Sequence, residues 1–477
     1  MAARKVFLSF LLSLIFTASS AINLDVNSAN SIKATARTLA GAIVDVYNGQ
    51  NAGFTPGLFD IPIVRDEVHF WEAGAIWTSL IEYSHLTGDS QHDDLIATAL
   101  EFQVGEQRNY MPKNQTMNIT NDDQSRWALA ALTAAEVGFK KPQSGEWLDL
   151  AKTVFDNQVL RWDTERCNGG LRFHIFESGA ESSWDMKDSV SNGGFFLLGA
   201  RLARLTGNES YYEWADRSFK WSQDVGLIGE DYLVYNVASL NKECSVPKTS
   251  PWLQSHAIFA EGAAVMFSLT DEPKWKDAVS GFAISVKAFQ AEGTSILSDD
   301  STCEKNGSCA GRLSPFTGIA ASAYARAVVA ASTQAGDFYE MLQASAKGAA
   351  QYCHWYGADM RCGKKWDEED LEAPTAVDGG LGRVFSALEV VQALLRFMPE
   401  STSTETSPTP TASGSHKGSA DRVQMDQSLS GIVFKGHVVQ GMLFREPTLR
   451  PERSAVMEVS RAASEGEVGK MNDDLAV

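Results

Sequence analysis

Two neighbouring carboxyls, Asp122 and Asp123, stand in "TNDDQSRWALAALTAAEVGF" (120–139), directly before an apolar run of helical spacing. A carboxyl pair is the equipment of acetal hydrolysis: one group protonates the leaving oxygen while the other attacks the anomeric carbon or activates water. A separation of about 5–5.5 Å suits the retaining, covalent route, and neighbours in a non-helical entry turn can span it. Mutual repulsion keeps both from ionising together, and a helix N-terminus favours whichever keeps its charge. One acid and one base follow. The same residues also read as a helix start, because Asn121 followed by Gln124 matches a capping box and Asp-Asp recurs at 93–94, 299–300 and 473–474. Locally, cap and catalytic pair both stand.

Something must hold such a pair in place, and the chain offers helices almost throughout. Apolar residues spaced three and four apart run through 32–47, 70–86, 95–104, 127–137, 147–160, 195–205, 211–221, 258–269, 275–289, 319–331, 338–352 and 384–397. Similar stops, "HLTGD" (85–89), "RLTGN" (204–208) and "SLTDE" (268–272), punctuate them. Helical hairpins of about 60 residues, six in number, would consume the segment. The expected fold is all-α, an (α/α)6 toroid of about six helical hairpins, with an open helical solenoid as the alternative. Only "GGLRFHIF" (169–176) and "DYLVYNV" (231–237) read as short strands.

Composition bounds the setting. Arg4 and Lys5 precede an apolar run, Val6 to Phe16, and a Ser19-x-Ala21 exit, which predicts a secretory signal peptide over 1–21; the apolar run is too short to be a permanent span. Sequons at Asn114, Asn118, Asn208 and Asn306 and an even set of cysteines agree. Cys303 with Cys309 and Cys353 with Cys362 are close enough to staple local loops, leaving Cys167 with Cys244. No zinc motif occurs, so no metal or cofactor is expected. Every Trp and Cys falls within 22–398, the expected catalytic domain; 399–477 begins Ser/Thr/Pro-rich and reads as a disordered tail. The net charge of -19, mostly on 22–398, repels nucleic acid and anionic lipid and favours a neutral or cationic partner.

Five ordered blocks carry a resemblance: "HFWEAGAIWTSLIEYSHLTGD" (69–89), "NDDQSRWALAALTAAE" (121–136), "CNGGLRFHI" (167–175), "SNGGFFLLGARLARLTGN" (191–208) and "GLGRVFSALEVVQALL" (380–395). Together they resemble the fungal branch of glycoside hydrolase family 76, the mannan endo-1,6-α-mannosidase-like cell-wall proteins. The resemblance implies the (α/α)6 barrel, with Asp122 as nucleophile and Asp123 as acid/base, the order within the pair staying open. It implies α-1,6-mannan as partner and wall glucan as a possible acceptor; a monomer is expected.

For sugar contacts the expected tools are aromatic platforms and amide or guanidinium groups. Asn121, Asn192, Trp71, Trp127, Trp252, Arg172 and His256 are the candidates, beside Trp184 and Lys187; each also has a structural reading as cap, core or salt bridge. Two blocks depart from the family pattern: "WLQSHAIFAEGAA" (252–264), which brings His256 near the expected substrate contacts, and "CAGRLSPFTGIAASAYAR" (309–326), with Thr317 where a lysine is usual. The expected location is the cell wall or the outer face of the plasma membrane, although the polar end "AASEGEVGKMNDDLAV" shows no glycolipid-anchor signal. Three activities follow: a secreted retaining hydrolase, a transglycosidase that joins anchored mannoproteins to wall glucan, or a non-catalytic mannan binder.

Overall fold

A computed structural model of the chain describes residues 21–398 except 60–68, 114, 116–118, 178–183, 249, 300–315, 357–358 and 370–379. Asn114, Asn118, Asn306, Cys303, Cys309, the tail and nearly all of the leader lie outside the described residues.

Among the described residues twelve α-helices follow one another: α1 (Ala29–Asp45), α2 (Phe70–Thr87), α3 (Asp93–Phe102), α4 (Asn121–Glu136), α5 (Trp147–Leu160), α6 (Ser189–Thr206), α7 (Glu209–Asp224), α8 (Leu253–Thr270), α9 (Pro273–Ser285), α10 (Phe316–Ala330), α11 (Gly336–Gln351) and α12 (Gly380–Ala393). Their ends are chemical. Ser28, Thr120, Asp188 and Asn208 each cap a first turn through a side-chain oxygen. Gly88, Gly207 and Asp271 end α2, α6 and α8 in the left-handed region, at φ 77°, 67° and 53°.

The even-numbered helices form an inner ring and the odd-numbered ones an outer layer. Inner α6 is buried from Ser189 to Ala203 on every side, whereas outer α7 hides one stripe that includes Tyr211, Ala215 and Phe219. Small residues let inner helices close up: a Cβ on Gly194 would lie 2.9 Å from the Ser125 Cβ, and one on Gly262 2.3 Å from the Phe196 ring. The ring closes where Gln392 of α12 donates to the Ser79 carbonyl and hydroxyl of α2, both at 3.1 Å. An open solenoid has no such contact.

Among the described residues two short antiparallel ladders decorate the helices, β1 (Met186–Asp188) with β2 (Val237–Ser239) and β3 (Cys353–Tyr356) with β4 (Asp359–Cys362). The expected strands at 169–176 and 231–237 are mostly single bridges, His174 to Thr120, Val234 to Ile228 and Tyr235 to Pro251. At 171–173 side-chain amides take main-chain positions that a ladder would need. Disulfides join Cys167 to Cys244 and Cys353 to Cys362. The first closes a separation of 77 residues, so its Ser/Ser variant should lose about 2–5 kcal/mol in denaturant unfolding, more than the Cys353/Cys362 variant. Among the described residues no helix is long and apolar enough to cross a membrane.

The ring's axis is charged. Arg326 of α10 donates to Glu261 of α8 at 2.8 and 2.9 Å and to Glu82 of α2 at 2.8 Å. Arg201 of α6 pairs with Glu136 at 2.6 Å and approaches Glu261 at 3.7 Å. Burial pushes Glu82 up, but Arg396, Arg326 and Arg201 overcome it and hold its carboxyl at about 2. Glu389 of α12 is less fully compensated: burial and Glu82 push it up to about 7 against Ser79, Arg326 and Ser322.

Candidate active site

The first residues of α2, α4, α6, α8 and α10 gather at one end of the ring. Trp71 in the first turn of α2 stacks flat on Phe316, the first residue of α10, with centroids 5.7 Å apart and an interplanar angle of 2°. Trp252, which precedes α8, meets the same Phe316 ring at 5.7 Å. All three rings are partly exposed, so Trp71 and Trp252 offer an aromatic floor.

Beside it, α4 begins one residue earlier than the capping box expected from Asn121 and Gln124. Thr120 is the cap: its hydroxyl faces the Asp123 N–H, while its own N–H and hydroxyl donate to the Asp123 Oδ2 at 2.9 and 2.6 Å. Asp123 is therefore part of the cap and part of the carboxyl pair. Burial first, and then the Asp122 charge, push its carboxyl up to about 7; hydrogen bonds from Thr120 and the Trp71 main chain pull the other way. Asp122 is also raised, chiefly by burial, with Thr120 and Arg126 opposing. Arg126, one turn along α4, is lowered to about 10 by its own burial and raised by Asp122. Below it a cavity of about 30 Å3 lies on the axis, lined by Thr78, Arg126, Arg201, Glu261, Arg326 and Glu389. A larger groove of about 630 Å3 runs past Phe102, Arg108 and Lys113 and holds none of the site carboxyls.

Asn121 and Asn192 start neighbouring inner helices, as expected, but both grip protein rather than opening to sugar. Asn121 donates to the Arg172 carbonyl at 2.8 Å and accepts from Arg161 at 3.0 Å. Asn192 accepts from the Leu171 N–H at 2.8 Å and donates to the Leu171 and Asp188 carbonyls. Together they clamp the 171–173 strip between α4 and α6. Trp127 is fully buried, stacked on Phe70 and Tyr110, with its N–H on the Phe70 carbonyl. His256 is fully buried between the Tyr324 and Ser285 hydroxyls at 2.7 and 2.8 Å, and burial lowers it to about 3. Neither presents a surface to a ligand. Arg172 pairs with Asp163 at 3.1 Å and covers the Trp184 ring at 4.6 Å. Lys187 is buried and donates to the carbonyls of Asp163, Arg166 and Gly169, shaping the loop before the strip. Thr317 is buried too.

Two groups that the sequence did not single out also stand near Asp122. Asp188 ends β1 and caps α6, its Oδ2 accepting from the N–H groups of Val190 and Ser191 at 3.1 and 3.0 Å. Burial and then the Asp122 charge push it up to about 7. His174, bridged to Thr120, is lowered by burial and raised by Asp122. A carboxyl at a strand end followed by "SVSN" looks like an ordinary cap in sequence; only the fold brings it to the pair.

A closed ring of twelve helices with paired carboxyls and aromatic rings at one mouth is the layout of an (α/α)6 glycoside hydrolase. The chain belongs to glycosyl hydrolase family 76, whose model matches residues 31–406. It is 35% identical over 392 residues to the mannan endo-1,6-alpha-mannosidase DCW1 of Candida albicans, covering 81% of this chain and 84% of that one. DCW1 of Saccharomyces cerevisiae is 31% identical, with 78% and 81% covered. Among solved structures, Dfg5 from Chaetomium thermophilum in complex with glucosamine matches with a TM-score of 0.71 at 31% identity, covering 78% of this chain and 92% of that one. An inactive variant of the alpha-1,6-mannanase GH76A of Salegentibacter sp. HEL1_6, in complex with alpha-1,6-mannotriose, shares the fold at a TM-score of 0.60 and 18% identity, with 76% and 99% covered.

Proposed function

We propose that this glycoside hydrolase cleaves internal α-1,6-mannosidic bonds of mannan with net retention, at or near the fungal cell wall. One observation supports the reading above others: Asp123, an acid pushed up to about 7, adjoins Asp122, whose neighbour Arg126 favours the charged form. Asp123 protonates the glycosidic oxygen while Asp122 attacks the anomeric carbon; the covalent mannosyl-enzyme is then opened by water that Asp123 deprotonates. The floor of Trp71, Trp252 and Phe316 stacks against neighbouring pyranose faces. The relatives named as mannan endo-1,6-alpha-mannosidases support the choice of bond. Secretion, N-glycosylation and action as a monomer complete the reading.

The test is direct. Purified protein is incubated with α-1,6-mannotetraose, and the first-formed anomer is followed by NMR. An α product fits retention; a β product overturns it, and no cleavage of any α-1,6-mannan overturns the function.

The raised acid also sets a pH profile. A carboxyl pushed up to about 7 keeps its catalytic proton through neutrality and loses it above. The kcat/KM profile should therefore hold to about pH 7 and fall above it, with an acid limb, set by protonation of Asp122, above the usual aspartate range. An alkaline limb already complete at pH 5 would remove Asp123 from the acid role.

A further inference from the structure

The cap and hydrogen bonds of Asp188 account for only one of its carboxyl oxygens. Its Oδ2 takes the two N–H groups at the start of α6, but its Oδ1 is buried and has no partner among the described residues, although only 6% of the residue is exposed. The Asp122 Oδ1 is in the same condition. The main chain sets the two carboxyls on either side of one residue: Phe173 accepts from the Asn121 N–H at 2.9 Å and donates to the Met186 carbonyl at 2.9 Å. Asp122 follows Asn121, and Asp188 stands two residues beyond Met186. Asn192 locks the arrangement by donating to the Asp188 carbonyl at 2.8 Å.

Buried acceptors are satisfied by donors, and two mutually repelling carboxyls are best satisfied by a donor between them. Resting on the functional reading above, we propose that Asp188 recognises the hydroxyl on carbon 2 of the sugar unit being cleaved. With Asp122 aimed at the anomeric carbon, that hydroxyl is the nearest donor the sugar can present. It is axial in mannose and equatorial in glucose, so an acceptor fixed by a helix cap and a strand end distinguishes the two. A hydrogen bond there strengthens as the oxocarbenium-like transition state forms, which makes Asp188 act on kcat as well as on binding.

The experiment compares 4-nitrophenyl α-1,6-mannobioside with the analogue lacking the hydroxyl on carbon 2 of the unit that bears the nitrophenyl group. A site built to bond a hydroxyl rejects the analogue that lacks it, here by about 10,000-fold in kcat/KM after correction for the intrinsic reactivity of the two substrates. Asp188→Ser removes the second oxygen but keeps the cap, since serine caps as well as aspartate, and circular dichroism checks the fold. In that variant the ratio should collapse to within about tenfold, through loss on the full sugar alone. An unchanged ratio in a folded, active variant overturns the role of Asp188 while leaving the glycosidase reading intact. Failure of the unmutated protein to bind or cleave either compound overturns both.

Discussion

Asp122→Ala is expected to lower kcat by at least about 10,000-fold, as loss of a covalent nucleophile does, and Asp123→Ala by about 100- to 10,000-fold, the range for a general acid/base. The two losses differ in kind, and azide tells them apart. On an aryl mannoside, whose leaving group departs without an acid, the Asp123→Ala enzyme still forms its mannosyl intermediate, and azide enters where the acid stood. The product is the α-azide. In Asp122→Ala no intermediate forms, azide attacks from the face the carboxylate has vacated, and the product is the β-azide. Opposite assignments by NMR would exchange the two roles, and full activity in both variants would remove the pair from the chemistry. A second readout follows from the electrostatics: Asp122 is among the charges that hold Asp123 and Asp188 up. Asp122→Ala should therefore lower both, seen by carbon-13 NMR of the labelled carboxyls.

The second large effect is on stability. Arg326→Met should cost about 3–5 kcal/mol, because it strips partners from two buried carboxylates, Glu82 and Glu261, rather than removing a pair cleanly. At about 2–4 °C per kcal/mol, taken at its lower end for so large a domain, Tm falls by on the order of 10 °C in calorimetry. Lys220→Ala, which breaks the exposed Lys220–Asp224 pair at 2.8 Å, is the control and should change stability by less than about 1 kcal/mol. Similar losses in both variants would mean that the axial charges reach water.

Much of the fold is readable along the chain. Every apolar periodicity over 32–397 corresponds to a helix of the structure, because each helix must bury a stripe and the stripe is written at intervals of three and four. The stops at Gly88 and Gly207 are equally local, since a left-handed end favours glycine. The ladders were less legible: 171–173 has strand-like composition, but Asn121 and Asn192 take its backbone groups one by one. Trp127 and His256 show the other limit. Type and position beside a functional block are the same whether a ring faces a cleft or the core, and only packing against Phe70, Tyr110, Tyr324 and Ser285 decides.

The sequence by itself thus determined the described helices, the Cys167–Cys244 and Cys353–Cys362 pairings and, through family resemblance, the Asp122 and Asp123 pair. Tertiary structure decided what those carboxyls sense. Arg126, Asp188 and His174 come to Asp122 from one helical turn, a strand end and a loop. The physical reason is range. Helix formation and capping are settled within about four residues, whereas burial and Coulomb terms act through space over several ångströms and count every charge the closing ring brings near.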